Sequence, residues 1–585
     1  MMDAMTSFTP QFPEPTPPPD PEQIIPALAE FFEPGNTKVF SSATSRQAIV
    51  NKVVEKYNYS KDNLDATRTI WKDIRGAYLG EKTYTVPSGV HSPESIVSPP
   101  FMLTQIDKMV QMYTLRLVAP YNNFLTVKDE KTRTRVHKLE NFLFNMFVSK
   151  SMAISCVKAV SSAAMFGVGI TKVIPDYSNQ EPSCQVEAVN IFDFYIDPFA
   201  SSIDDATFII HRTWIDYDTL MARMKDAGFN KAQCNEMIEW KNARKEKDAH
   251  NNPIPVSSLR ASSQNRADMT EEEPSDDEKY DRFLIYEYYD GQNIITVGEK
   301  QFLLRMVKNS IGYPFQLWFL RIPTAGEFFV KSHGDLLRPI QEEINIKRNQ
   351  RIENINKIVN APLMYTPGFI TDPKKLIIRS GQKIAVNNLE ECKFLEVKND
   401  TDMLLNEIEY LKGEGSDVTS VNAVVQGKAA KTERMTTAET NSLYSQSNMG
   451  FDYGSSIMAI TGLIPMFQCI LRICAFINKG VPAQAPDHPN GVGETTPIFP
   501  MELIGTYQIS VSVNPNKEQQ DREEGMGTYQ LFNQDPYIDQ VGLRKWVIPR
   551  IAPDFPLDLL LDQPNITQPM QQSVSPQASD KNFAK

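Results

Sequence analysis

From about residue 45 to 151 the apolar positions recur at helical spacing, with Ile49, Val53 and Val54, then Leu64, Ile70 and Trp71, then Leu103, Ile106, Val110 and Tyr113, so helices are predicted throughout this stretch. The texture changes at Gly167, whose missing Cβ suits a helix C-cap. β-prone runs follow at 170–174 and 185–195 and open a mixed α/β region. Asp216 is placed to N-cap a short helix carrying Leu220, Met221 and Met224 and closing at Gly228. Strands resume at 283–289, turn at Asp290 and Gly291, and continue to Phe319.

A long helical pattern then runs over 334–360. Leu337, Ile340, Ile344, Ile352, Ile355 and Val359 form a narrow apolar stripe, with Arg338, Glu342, Glu343, Lys347, Arg348, Arg351, Glu353 and Lys357 on the other faces. Pro339 is tolerated because it falls in the first turn. Such a helix is roughly 40 Å long at 1.5 Å per residue. Its stripe is too thin for burial inside a globular core, so it is expected to pack sideways on like helices.

Residues 361–398 are turn-rich and predict a small β-containing tip. A second helix is expected from Thr401 to Lys412, with Leu404, Leu405, Ile408 and Leu411 on one side and Gly413 as its stop. A polar loop over 423–435 carries Lys428, Lys431 and Arg434. Thr436 and Glu439 then have the spacing of a capping box, opening a helix expected to reach Asn478 with a kink at Pro465. Gly450, Gly454 and Gly462 would weaken it unless another backbone packs close. Tyr507, Ile509, Val511 and Val513 alternate with polar residues as a strand does, and short helices are expected over 517–561.

Length and composition add a division into regions. At 585 residues, with 41% hydrophobic and 10% aromatic residues, the chain can bury substantial cores in several regions. A proline-rich arm, 1–44, precedes the helices. A stretch over 242–282, basic and then acidic, is expected to be a solvated loop, and the Gln/Ser/Pro-rich tail over 563–585 to be disordered. The net charge of −12 argues against a protein that wraps DNA by bulk electrostatics, so contact with nucleic acid must be local. The six cysteines are scattered and are expected to be reduced thiols. The N-terminal stretch does not have the pattern of a secretory signal. The longest apolar run, 457–477, is interrupted by Pro465, Gln468 and Arg472, so no membrane span is expected.

Catalytic and cofactor motifs fail when tested. Gly427-Lys428 has Asn422 and Ala429 where a phosphate loop needs a glycine and a hydroxyl. Gly167 and Gly169 lack the third glycine of a dinucleotide fingerprint and face a strand. The six histidines lie far apart with no zinc spacing. Asp193 with Asp197, and Asp204 with Asp205, sit in an aromatic-rich strand and turn and are expected to be structural. No catalytic residue, cofactor or metal is therefore expected.

Two segments carry a family resemblance. Asn190, Phe192, Asp193, Phe194, Tyr195 and Pro198, followed by 203–214 and the helix start at Tyr217, resemble the wing region of portal proteins of tailed phages, particularly short-tailed ones. Tyr313, Pro314 and Phe315 lead to Gly334, Asp335 and the long helix with Gln341, Asn345 and Gln350, then to the β tip, second helix, polar loop and the helix start at Thr437, Ala438 and Glu439. That order is similar to the portal plan. The resemblance covers about 45–561.

It implies an α+β, mainly helical portal fold assembled as a cyclic ring, typically a dodecamer. The wing would span 45–333, with the polar insertion at 242–282. Stem helices at 334–360 and 400–422 would flank a clip at 361–399. A tunnel loop at 423–435, a kinked wing helix and wing strand at 436–515 and a crown at 516–562 would follow. Such a ring belongs to the virion, at the capsid portal vertex, and to the host cytoplasm during assembly. It passes double-stranded DNA in both directions without sequence specificity, sits in the major capsid protein shell, and docks the terminase and later the tail adaptor. In this frame Lys428, Lys431 and Arg434 are expected to touch phosphate in the lumen. Arg338, Lys347, Arg348 and Arg351 are expected to pair with Glu342, Glu343 and Glu353 of neighbouring stems. Lys374, Lys375, Arg379 and Lys383 of the clip are the docking candidates. Sparse positive contacts suit a conduit, because tight phosphate binding would oppose translocation. Two other readings are a tail adaptor or nozzle ring protein and, from another class, a DNA-packaging enzyme.

Overall fold

In the computed structural model the described residues are 42–81, 96–117, 125–126, 133–176, 183–226, 228–251, 282–309, 311–359, 361, 363–365, 392–394, 398–421, 449–477, 483–486, 495–498, 503, 508–509, 517–532, 543–544 and 547–548. The fold is α+β and mainly helical, and the chain divides into two units, Met1–Val513 and Asn514–Lys585.

In the first unit α1 (Ala43–Leu79) begins at Ser42, whose hydroxyl accepts from the Ser45 amide, and ends at Gly80 in the left-handed conformation. Its buried residues Val50, Val53, Tyr57, Leu64, Trp71 and Ile74 form one stripe, as the apolar spacing requires; Ile70 is exposed. Helices α2 (Phe101–Leu117), α3 (Arg133–Ser149) and α4 (Met152–Phe166) follow. Gly167 caps α4 at φ 90°, its amide donating to Ala163 O. The chain turns there into β2 (Val168–Asp176), which pairs antiparallel with β3 (Ser183–Val189) on one side and β9 (Phe315–Phe319) on the other.

A second antiparallel sheet runs in sequence order: β4 (Phe194–Ile196), β5 (Ile209–Asp216), β6 (Arg282–Tyr289), β7 (Asn293–Gly298) and β8 (Phe302–Lys308). Strand alternation divides β6. Tyr286 and Tyr288, with Ile295, Val297 and Leu303, pack against Val50, Val53 and Tyr57 of α1. On the opposite face Phe283, Ile285 and Leu304 meet Leu220 and Met224 of α5 (Tyr217–Asp226) and Cys234 and Met237 of α6 (Lys231–Asn251). Asp216 caps α5, accepting from the Thr219 amide at 3.2 Å.

The polar insertion expected over 242–282 starts later than its composition suggests, because 242–251 continue α6. Lys241 donates to Arg282 O and pairs with Glu299 at 2.7 Å. The helix is thereby anchored just before a run of good helix formers, Ala243 to Lys247, that have no reason to stop it. The aspartates proposed as structural are so engaged: Asp193 accepts from Arg212 Nε at 2.8 Å, and Asp197 accepts from the Phe199 amide and the Thr207 hydroxyl.

Helix α9 spans 449–477. Just before Pro465 it contains a π turn: Ala459–Leu463 are wound wide, and the Ile464 amide reaches back five residues to Ala459 O. A proline at 465 cannot donate to residue 461, and the wider turn redistributes the neighbouring bonds. Gly462 lies flat on the Trp318 ring, where a Cβ would sit 2.4 Å from Trp318 Cδ2. Met449–Ala475 is long and apolar enough to cross a membrane, but 67% of its most apolar window is buried in the fold. Met458, Met466, Phe467 and Cys474 lie in the main core, so α9 is the central helix of this unit.

Short ribbons pair β12 (Ala483–Pro486) with β13 (Thr495–Ile498), and β1 (Leu125–Thr126) with β14 (Gln508–Ile509). The strand expected over 507–513 is described only at β14. In the second unit the first of the expected short helices is α10 (Lys517–Phe532). The proline arm to residue 41, the acidic part of the insertion and the terminal tail lie outside the described residues.

Candidate assembly surface

Helix α7 (His333–Val359) is the long amphipathic rod. It starts with a reciprocal cap, in which Ser332 Oγ accepts from the Asp335 amide at 2.9 Å and Asp335 Oδ2 accepts from the Ser332 amide at 2.8 Å. Gly334 lets the first turn touch α4, since a Cβ there would lie 2.2 Å from Met165 O. At 27 residues the helix is about 40 Å long. Beyond it lie β10 (Leu363–Tyr365) and β11 (Cys392–Phe394), an antiparallel pair, and then α8 (Thr401–Thr419).

The two helices lie side by side and antiparallel. Gly415 near the end of α8 faces Leu337 at the start of α7, and Asn354 near the end of α7 donates to Lys398 O just before α8. Gly413 does not stop α8, contrary to expectation. The helix runs on to Ser420, which caps it at φ 56°, because Gly415 is packed against the Phe101 ring, 2.5 Å from where a Cβ would be. Glycine here permits close packing rather than ending the helix.

The inner half of α7 is buried, but largely through amides. Gln341, Asn345 and Asn349, four residues apart, lie on the face against the extended residues that precede α2. Asn349 accepts from the Val97 amide at 2.9 Å and donates to Val97 O at 3.0 Å. Gln341 accepts from the Met102 amide and donates to Pro99 O, both at 2.8 Å. Asn345 Oδ1 accepts from Gln341 and from Ser98 Oγ. The apolar-stripe reading missed this ladder, whose only signal is the four-residue recurrence of amides along the stripe. Asn349→Ala removes both hydrogen bonds to the Val97 backbone, each worth about 0.5–1.5 kcal/mol. Amide exchange at Val97 is expected to accelerate by about tenfold or more, and unchanged exchange would refute the ladder's role.

Toward the β10–β11 end the apolar stripe is open. Ile355 and Val359 of α7 are exposed, Val359 by 73%, as are Met403 and Tyr410 of α8 by 67% and 65%. Of the seven charged residues expected to join neighbouring stems, Arg338 pairs with Asp73 of α1 at 2.9 Å, Lys347 with Glu343 at 3.9 Å and Glu353 with Lys357 at 2.8 Å, all within the chain. Glu342, Arg348 and Arg351 make no ion pair among the described residues, and Arg351 Nε and Asn354 Oδ1 are buried with no hydrogen-bond partner there. Lys428, Lys431 and Arg434, and the clip residues Lys374, Lys375, Arg379 and Lys383, lie outside the described residues. Among the described residues no cluster of histidine, cysteine and acidic side chains could hold a metal ion.

The described residues form an α+β body carrying a pair of long antiparallel helices. The chain belongs to the phage SU10 portal protein family, whose sequence model matches residues 130–536, more than half of the chain. It is a tailed-phage portal protein, from a family that is structural rather than catalytic, and a component of the virion. No curated protein matches the chain in sequence. Among solved structures, one described as the virion of a native gene transfer agent (GTA) particle aligns over 81% of this chain and 98% of that chain, at 8% identity and a TM-score of 0.35.

Proposed function

We propose that the chain is the repeating subunit of a closed ring, a dodecamer, at one capsid vertex through which double-stranded DNA is packaged and ejected. The carrying observation is the outer half of the α7–α8 pair, where Val359, Met403 and Tyr410 are exposed, on helices whose Glu342, Arg348 and Arg351 make no ion pair among the described residues. A heterologous contact repeated around an axis covers such a surface on every copy and closes without a free end. In this reading α7 and α8 are the stem and β10–β11 the base of the clip. Lys374, Lys375, Arg379 and Lys383 dock the terminase and then the tail adaptor, and Lys428, Lys431 and Arg434 face DNA phosphate. Residues 45–333 and 436–515 form the wing, set in the major capsid protein shell, and 516–562 the crown. The subunit forms its ring in the host cytoplasm.

Native mass spectrometry and negative-stain microscopy of the purified full chain test the ring. A ring with an axial hole is expected. Met403→Glu with Tyr410→Glu is expected to release monomers, because each lost side chain forfeits about 1.5–3 kcal/mol at every subunit contact. The monomer's own melting should change little, since both side chains are exposed. A monomeric wild-type chain, or a ring indifferent to this pair and to charge reversal at Glu342 and Arg348, would sink the reading.

A further inference from the structure

The face of the five-stranded sheet turned away from α1 carries a row of polar side chains set by strand register. His211 on β5 lies opposite Glu287 on β6, Glu287 opposite Thr296 on β7, and Thr296 opposite Arg305 on β8. Thr213 and Tyr289, two residues along their strands from His211 and Glu287, project from the same face. The three-stranded sheet adds Lys172 from β2, and between the two sheets lies a cavity of about 350 Å³. That is the size of a site for a small organic molecule.

Its polar wall is organised around one carboxylate. Glu287 accepts from Lys172, from Arg223 Nη1 at 3.2 Å and from the Tyr289 hydroxyl at 3.2 Å. Lys172 Nζ also lies 3.3 Å from His211 Nδ1. Burial, reinforced by the Lys172 charge, holds His211 below its ordinary range, so it adds no charge at neutral pH. Three cations, Lys172, Arg223 and Arg305, therefore face one buried carboxylate, while the other lining carboxylate, Glu187, is exposed. Two donors are left over: Arg305 Nε and Thr213 Oγ1 are buried and make no hydrogen bond among the described residues. Much of the remaining wall is apolar, with Phe229, Ile294 and Ile473 among its residues.

A surplus of positive charge lining the cavity, with two buried unsatisfied donors beside an apolar wall, selects for an anion carrying an apolar body. We propose that this cavity binds a small organic carboxylate. Its head group pairs with Arg305, its apolar body lies along Phe229, Ile294 and Ile473, and Thr213 supplies a second polar contact. The site uses none of the surfaces of the ring reading and stands independently of it.

The test titrates the full chain with 2-naphthoate and with neutral 2-naphthamide, which has nearly the same shape. Saturable binding of naphthoate below about 1 mM is expected, with naphthamide at least about tenfold weaker, the worth of one charge-assisted hydrogen bond. Arg305→Gln should weaken naphthoate by about tenfold or more while leaving naphthamide unchanged. Thr213→Val, which keeps the side-chain shape, should weaken it by a few-fold and gives a reading if the arginine variant fails to fold. Absence of saturable naphthoate binding overturns the proposal. So does equal affinity for the amide, or indifference to the substitutions in variants that melt like the parent, because each would show apolar adsorption without a built site.

Discussion

Replacing Glu287 by glutamine is expected to lower the folding stability of the chain by about 3–5 kcal/mol, the usual cost of removing one partner from a buried ion pair. Glu287 is the shared acceptor of Lys172, Arg223 and Tyr289, and an amide cannot take their donors while balancing the Lys172 charge. Urea denaturation in the monomeric Met403→Glu, Tyr410→Glu background provides the measurement, and a loss below about 1 kcal/mol would contradict the arrangement. The double variant Lys172→Met with Glu287→Leu should recover most of the loss, since apolar replacement of both partners is often neutral.

The same carboxylate predicts an acid limb. Burial opposes its ionisation, but the charge of Lys172, with Arg223 and the neighbouring His211, outweighs burial and holds it well below the ordinary value of 4.5. A depressed folded pKa means that the unfolded chain takes up the proton first. The stabilisation is therefore complete above about pH 4.5 and is lost as the pH falls through the folded value. Glutamine at 287 should remove that contribution from the wild-type stability profile between pH 5 and the acid transition.

Gly169→Ala is the second large effect, expected to cost at least about 3 kcal/mol and to leave little soluble protein. Helix α4 lies directly on β2, and a Cβ at 169 would sit 2.0 Å from Ala159 O and 2.6 Å from its carbonyl carbon. Both are backbone atoms that no rotamer change can move. Gly167 and Gly334 hold neighbouring parts of the chain equally close, at 2.1 Å to Val330 O and 2.2 Å to Met165 O. Gly413→Ala is the internal control. It sits mid-helix with nothing within 4 Å and should stabilise the chain by about 0.5–1 kcal/mol. Comparable denaturation midpoints for the two variants would show that α4 does not pack on β2 in this way.

The contrast between these glycines marks how far the sequence could be read. Helices and strands with a clear period were legible: the α1 stripe, the cap at Gly167, the Asp216 cap and the run of strands from β6 to β9 stand where spacing placed them. Gly167 and Gly169 failed as a nucleotide fingerprint, yet their use as packing surfaces for α4 and for the segment at Val330 has no one-dimensional signature. Gly413 looked like a stop because local propensity says so, and it was overridden by Gly415 meeting Phe101. The α7 rod was legible as a rod, but its narrow apolar stripe was only part of its buried face. Gln341 and Asn349 complete that face by bonding to backbone 239 to 252 residues away in sequence, and Asn345 by accepting from the Ser98 hydroxyl, pairings no local pattern reports. The inter-sheet cavity was equally hidden, since Lys172, Arg223, Glu287 and Arg305 are brought together only by cross-strand register.

The amide ladder also sets how the rod can move. Its rungs recur every four residues, about 6 Å along the axis; the outer two grip peptide groups of the strap at 97–102 and the middle one the Ser98 hydroxyl. A slide of half a turn, or a twist of a few tens of degrees, would unseat all of them together, with no intermediate position that keeps some bonds. The α7 rod is therefore indexed like a rack engaged by a pawl: the side-chain pattern that fixes its height also fixes its azimuth relative to the strap.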